Sequence, residues 1–256
     1  MLDLGEDWSG EVALVTGASG SIGAAIADRF EALGARVAGS DLAQTGVQSE
    51  RRRYDSVDVT DEHAVGAWVS RVGSDWGPPT IAVICAGISR SGRLVDTSTS
   101  DWRAVLDVNL DGAFFVARAA IRSMLVAGKG GRVVFIGSWA AHAPHPHIGS
   151  YSVAKAGLRS LMQCLALEHA QDGILVNEVA PGIVDAGLSK TLFDADAALK
   201  ARTMAAIPTG GLVTVTDVAR DVAYLASPLN RQTTGTVIVT DGAIGLSSTM
   251  NPGRRS

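Results

Sequence analysis

Tyr151 and Lys155 stand four residues apart in Tyr151-Ser152-Val153-Ala154-Lys155, so in a helix they share one face, a turn apart. A free phenol titrates near ~10 and is almost wholly neutral at physiological pH. An ammonium held beside it favours the phenolate and moves that pKa toward the working range. The pair is therefore expected to give or take a proton at an oxygen atom. Leu158, Leu161, Met162, Leu165 and Leu167 continue the helical pattern. Ser138 lies thirteen residues before Tyr151, at the end of the apolar run 132–136. A hydroxyl at the carboxyl end of a buried strand points into the crevice where open α/β sheets bind ligands. There it can hydrogen-bond a substrate oxygen as charge develops. Tyr-x-x-x-Lys alone is a common helical spacing, and only its context makes it specific.

That context begins near the N-terminus. Residues 12–15 read Val-Ala-Leu-Val and run into Thr16-Gly17-Ala18-Ser19-Gly20-Ser21-Ile22-Gly23, with Ala24-Ala25-Ile26-Ala27-Asp28-Arg29-Phe30 directly after. A strand, a small-residue turn and a helix bring backbone N–H groups and a helix dipole onto a pyrophosphate. Gly17 allows the tight turn and Gly23 lets the helix approach the sheet. Ser19, Ser21 and Ile22 complete the stretch expected at a dinucleotide. A lone glycine triplet is weak evidence, but its place after the first strand of an alternating chain sharpens it. Asp41 follows a second apolar run at 36–39, eighteen residues past Gly23. A carboxylate there accepts hydrogen bonds from the adenosine ribose hydroxyls and repels a 2′-phosphate. No basic residue in the turn or next to Asp41 would neutralise that phosphate, so NAD is expected over NADP. The alternative for Asp41 is a plain helix N-cap.

These residues need a frame. Strand-like runs occupy 12–15, 36–39, 81–85, 132–136, 175–179 and 236–239. Most are continuous rather than alternating, as in strands buried on both faces. Helix-like segments near 22–33, 62–74, 101–126, 151–170 and 215–226 lie between them. The alternation predicts an α/β domain with a doubly wound parallel sheet, and no linker divides it. The stretch 182–211 carries no strand signal and is expected to be a lid over the site, with short helices of its own.

Composition excludes several classes. The 256 residues are 46% hydrophobic and 19% charged, which suits a filled core. Twenty-two basic residues against twenty-six acidic ones leave a net charge of −4, with no footprint for nucleic acid or an anionic membrane. Arg51-Arg52-Arg53 is expected to be a solvated face. The acidic start, Met1 to Asp7, lacks a signal-peptide pattern, and no apolar run reaches the ~18 residues of a membrane span. A cytoplasmic location is expected. Cys85 and Cys164 sit in apolar stretches and are expected to be buried free thiols. His142, His145 and His147 share a loop with Pro144 and Pro146 and have no acidic or thiol partner in it, so no metal is expected. His145, His147 and Trp139 are candidates for touching a substrate, with packing the alternative for Trp139.

The chain resembles the short-chain dehydrogenase/reductase family in its classical form, over nearly its whole length. The matching residues are Thr16-Gly17 to Gly23, Asp58 in Val57-Asp58-Val59-Thr60, Ala86-Gly87, Asn109, Ser138, Tyr151 with Lys155, Pro181-Gly182 and Asp241-Gly242. The resemblance implies a Rossmann fold and an NAD-linked oxidoreductase acting on a secondary alcohol or ketone. It implies that Tyr151 exchanges the hydroxyl proton, Ser138 steadies the substrate oxygen, Lys155 binds the nicotinamide ribose and tunes Tyr151, and Asn109 supports a proton-relay water. Asp58 and Val59 would meet the adenine, with Ala86, Gly87, Pro181, Gly182 and Ile183 along the rest of the cofactor. A homotetramer through the helices near 101–126 and 151–170 is implied as well. Three positions depart from the family pattern: Ser21 stands for a glycine, Cys85 for an asparagine and Ala186 for a threonine. Two rivals are a carrier-linked 3-oxoacyl reductase, against which Asp41 speaks, and a non-catalytic dinucleotide sensor, expected to lack Tyr151 or Lys155.

Overall fold

The computed structural model describes residues 7–43 and 46–246; the start of the chain up to residue 6 lies outside the described residues. Seven strands form one sheet: β1 (Val12–Thr16), β2 (Arg36–Asp41), β3 (Arg52–Ser56), β4 (Ile81–Ile84), β5 (Gly131–Ile136), β6 (Ile174–Pro181) and β7 (Val237–Thr240). Their order is β3-β2-β1-β4-β5-β6-β7, with every neighbouring pair parallel. The helices are α1 (Ser21–Ala32), α2 (Glu62–Trp76), α3 (Thr99–Leu106), α4 (Ala113–Ala127), α5 (Gly149–His169), α6 (Gly187–Ala195), α7 (Ala197–Ala206) and α8 (Val215–Ala226). The chain winds outward from β1 to β3, then returns to place β4 on the other side of β1. This is the expected doubly wound sheet, and its order reverses between β1 and β4, where such sheets bind ligands.

Alternate side chains along each strand feed two separate cores. Leu14, Ala82, Val133 and Phe135 pack with Trp68, Met124, Leu158 and Met162 from α2, α4 and α5. Ala13, Val15, Val37, Val83 and Val134 pack with Ile26, Phe30, Val222 and Leu225 from α1 and α8. Burial of each large side chain contributes about 1.5–3 kcal/mol against chain entropy, so α5 is held firmly along the strand that ends at Ser138.

Six strands are expected from the sequence, and the described residues form seven. The difference is β3, which carries part of the arginine triplet read as solvated. Arg52 is only 7% exposed, pairing with Asp28 and, at 3.0 Å, with Glu31. Arg53 lies over the Trp76 ring and reaches Asp75 at 2.6 Å. An edge strand buries only alternate positions, here Arg52 and Tyr54, so it lacks the continuous apolar run that marks the others. Cys164 also differs: it is exposed, because it falls on the outer side of α5 between buried Met162 and Leu165. Cys85 is half-buried at the end of β4.

The helix expected near 101–126 is broken by a wider π-type turn, Asp107–Gly112, between α3 and α4. Such turns are often found at functional sites. In the stretch 182–211, α6 and α7 are short helices tied down by Phe193, Ile207 and a Lys200–Asp185 ion pair of 3.0 Å. Leu199 and Met204 are half-buried; the side chains of Leu188 and Leu192 lie outside the described residues.

Candidate functional site

A cleft of about 690 Å³ runs along the carboxyl ends of the strands. Its floor is backbone. A Cβ at Gly17, where φ is +64°, would come within 2.9 Å of the Ala86 Cα, and one at Gly23 would overlap the Gly17 carbonyl oxygen. Only glycine fits either place, and the two together bring the start of α1 to the cleft wall. Ser21, in place of a family glycine, is the first residue of α1, and it lines the cleft with Ile22. At the far side a Cβ on Gly182 would meet the Asp241 Cα at 2.7 Å. A cradle of N–H groups with no side chains in the way suits a dinucleotide pyrophosphate.

Asp41 ends β2 and caps no helix. Its carboxylate accepts the backbone N–H of Ser19 at 3.1 Å and of Leu42 at 2.8 Å. Ser19 itself is not among the lining residues. Asp58 lines the same end of the cleft as Asp41, with Oδ1 accepting the Thr60 N–H and hydroxyl. Val59, Ala86, Gly87, Pro181, Gly182 and Ile183 line the middle and opposite wall, and so does Ala186.

At the other end Ser138, Tyr151 and Lys155 come together. Ser138 is buried just after β5, in extended conformation, its Oγ accepting the Ala140 N–H at 3.1 Å. The Ser138 hydroxyl lies close enough to the Tyr151 phenol to favour its ionised form. Lys155 is buried, with Nζ donating to the Ile136 carbonyl at 2.7 Å and lying 5.6 Å from the Tyr151 ring centroid. Burial pulls its pKa down to about 8, against the raising influence of Cys85 and Glu178. Burial likewise pushes the Tyr151 phenol above its ordinary value; the Ser138 hydroxyl opposes this and the Cys85 thiol adds to it. The lowered phenol expected from the four-residue spacing is therefore not what these side chains produce. The ammonium donates to a backbone carbonyl, and desolvation is the largest influence on the phenol.

Asn109 stands behind the cleft on the π-type turn. It is 1% exposed, its Nδ2 donating to the carbonyls of Ile88 at 2.8 Å and Val105 at 2.9 Å. Its Oδ1 has no protein partner. A Cβ at Gly87 would lie 2.7 Å from that oxygen and 3.6 Å from Lys155 Nζ, so both atoms border one small space beside Gly87. A water or a ligand hydroxyl there would satisfy both.

Trp139 and His145 wall the cleft near Ser138, in edge contact at 4.5 Å between ring centroids. Burial lowers the His145 pKa, which favours the neutral imidazole. His147 lies outside this cleft, in a side pocket of about 410 Å³ with Arg93 and Leu94. His142 turns away toward Arg159. Ile88, Val108 and Ile148 also line the cleft; as lone apolar residues they carry no chemical signature in sequence.

A family model described as enoyl-(acyl carrier protein) reductase matches residues 17–245. The chain is 32% identical over 244 residues to the 3-oxoacyl-(acyl-carrier-protein) reductase FabG of Escherichia coli (strain K12), covering 93% of this chain and 98% of that one. It is 34% identical over 248 residues to the cis-4-hydroxycyclohexanecarboxylate dehydrogenase of Sinomonas cyclohexanicum, again covering 93% and 98%. A solved short-chain type dehydrogenase/reductase from Mycobacterium marinum superposes with a TM-score of 0.87 at 29% identity, covering 93% of this chain and 96% of that one.

The buried ammonium has a measurable signature. Between its folded pKa of about 8 and the ordinary 10.5, Lys155 has lost its proton in the folded chain while the unfolded chain still binds it. Stability therefore rises with pH between those values, and the cost of the buried charge is present in full below about 8. Lys155→Met is expected to be more stable than wild type at pH 7, by on the order of 3 kcal/mol at most. That difference should shrink as pH approaches 10.5, read from urea midpoints between pH 7 and 10. A difference that does not change with pH would contradict the depressed pKa.

Proposed function

The chain belongs to the short-chain dehydrogenase/reductase family, and on that ground we propose an NAD(H)-dependent enzyme interconverting a secondary alcohol and a ketone at Ser138, Tyr151 and Lys155. The observation that carries this is one continuous cleft lined by the Asp41 carboxylate and by Ser138, Tyr151 and Lys155. The dinucleotide, when bound, accepts or donates the hydride. Gly17, Ser19, Ser21, Ile22 and Gly23 would hold its phosphates, Asp41 its adenosine ribose, and Asp58 and Val59 its adenine. Ala86, Gly87, Asn109, Tyr151, Lys155, Pro181, Gly182 and Ile183 would line the path to the nicotinamide.

The chain's own part is orientation and proton handling. The Ser138 and Tyr151 hydroxyls converge on a substrate oxygen and stabilise charge as it develops there. With its pKa raised, Tyr151 is a neutral phenol, poised to donate to the oxygen of a ketone being reduced. Lys155 and the free Asn109 Oδ1 border a space through which a water can return that proton. Trp139, His145, Ile148 and Ile183 make the substrate end largely apolar and exclude water. The relatives named as 3-oxoacyl-(acyl-carrier-protein) reductases favour a second reading, in which the ketone is a 3-oxoacyl thioester. Assays of simple ketones, alicyclic hydroxy acids and 3-oxoacyl thioesters, with NADH and NADPH in parallel, separate the two. The proposal includes a homo-oligomer, supported by exposed Leu125, Val126, Val153 and Leu167 on α4 and α5, and a cytoplasmic setting, which suits the free thiols Cys85 and Cys164.

Tyr151→Phe keeps the ring and removes the transferable proton. Turnover should fall by about 10²–10⁴, the range of general acid–base catalysis, with NADH still bound. Retention of more than a tenth of the activity would end the assignment. Asp41→Ala should narrow the preference for NAD over NADP, chiefly by weakening NAD; a wild-type enzyme that uses NADP equally well would refute the role given to Asp41. Residues 182–211 are proposed to close over the nicotinamide and substrate. Amide exchange there should slow when NADH is added, whereas equal protection with and without NADH would leave α6 and α7 as a permanently docked cover.

A further inference from the structure

Among the described residues, the most deeply buried charged side chain lies outside the reacting groups. Glu178 on β6 is fully buried. Arg159 of α5 meets it in a bidentate pair, Nε to Oε2 at 3.0 Å and Nη2 to Oε1 at 2.8 Å. Taking Glu178 and most of Arg159 out of water costs about as much as their pairing returns, so stability alone does not account for the pair. Its surroundings supply another reason. Residue 137, directly before Ser138, is a glycine, and a Cβ there would overlap Glu178 Oε1. The carboxylate thus fills the place of a side chain on the turn that presents Ser138. On the far side of Ser138, past the short turn Trp139–Ala141, Arg159 Nη1 lies 3.3 Å from His142 Nδ1. Arg159 also sits four residues after Lys155 and eight after Tyr151, and so on the same side of α5.

We propose that the Arg159–Glu178 pair is a positioning clamp that fixes Ser138 at the end of β5 against Tyr151 on α5. The clamp holds the Ser138 segment at both flanks, at Gly137 through the carboxylate and at His142 through the guanidinium. It is anchored in the helix that carries the other two reacting groups. A rigid guanidinium fork suits this better than a flexible ammonium, because two parallel bonds set an angle as well as a distance. The proposal rests on the reading of Ser138 and Tyr151 as the groups that meet the substrate oxygen. Neither Arg159 nor Glu178 lines the cleft, so both act through Ser138.

The test is a double-mutant cycle with Ser138→Ala. Arg159→Met combined with Glu178→Leu removes both charges at similar volume, an exchange that buried pairs often tolerate. The melting temperature should be unchanged or higher and the NADH dissociation constant should stay within about twofold. The kcat for ketone reduction should fall by about 10- to 100-fold, as misplacement of a reacting group by an ångström does. In the Ser138→Ala background the same pair of substitutions should cost less than about threefold, since the group they position is gone. Should the double variant not fold, Glu178→Gln, which keeps the shape of the side chain, reads the same cycle. Full kcat in the clamp variant, or an equal loss in both backgrounds, would overturn the clamp. Full activity of Ser138→Ala alone would instead overturn the role of Ser138, and the clamp with it.

Discussion

The Thr16 hydroxyl accepts the backbone N–H groups of Cys85 and Ala86, at 3.0 and 3.1 Å, and this one side chain ties the end of β1 to the end of β4. Here the two halves of the sheet part company, so no strand ladder continues to satisfy those donors. Thr16 is fully buried, and without its oxygen two N–H groups would be left unpaired away from water. The tie draws Gly17 against Ala86, closer than any residue with a Cβ could come. The rest of the cleft follows from that approach. The turn after β1 must be tight, α1 must start at once, and its first residues must face the crevice. The chain after β4 must then pass Gly87 beside Asn109. Backbone contacts set the dimensions of the site before any reacting side chain is placed in it.

Electrostatics in the cleft is governed by burial rather than by pairing. Cys85 is pushed up to about 12 and stays a thiol, Tyr151 is pushed up and stays a phenol, and Lys155 is drawn down to about 8. In each case loss of water is the largest influence and neighbouring charge only moderates it. That ordering explains why a lysine one turn from a tyrosine does not by itself make a phenolate.

The sheet was legible in the sequence because buried parallel strands write themselves as unbroken apolar runs. The runs at 12–15, 81–85 and 132–136 differ from β1, β4 and β5 by a residue at most. The exception, β3, is an edge strand whose inward positions hold Arg52 and Tyr54, and polar inward residues erase the pattern. The glycine turn and the Tyr151–Lys155 spacing were legible as geometry, because helical period and turn sterics depend on residue type alone. What spacing could not carry was the environment. Whether Tyr151 and Lys155 face water, that Cys164 lies on the outer side of α5, and that Asp107–Gly112 widens into a π-type turn all depend on packing between distant segments. Arg159 and Glu178 were invisible for the same reason. Each is ordinary in its own element, and they meet only when α5 lies across β6.

The buried polar atoms left without a protein partner point the same way. Several of those among the described residues lie at or near the cleft: Ser89 Oγ, Asn109 Oδ1, Ser152 Oγ beside Tyr151, and Asp185 Oδ1 near the base of α6. An unsatisfied buried donor or acceptor costs roughly 1–3 kcal/mol, and a chain selected for stability alone would pair or remove such groups. Asn109 makes the case most plainly. Its amide nitrogen makes two good hydrogen bonds to backbone carbonyls, which fix the side-chain plane, and that plane leaves the oxygen aimed past Gly87 toward the space it shares with Lys155 Nζ. A side chain held so firmly on one side is left with an unpaired buried acceptor on the other. Stability is spent at the points where a ligand or an ordered water restores it, and the firm packing of α4 and α5 on the sheet keeps those points in register meanwhile.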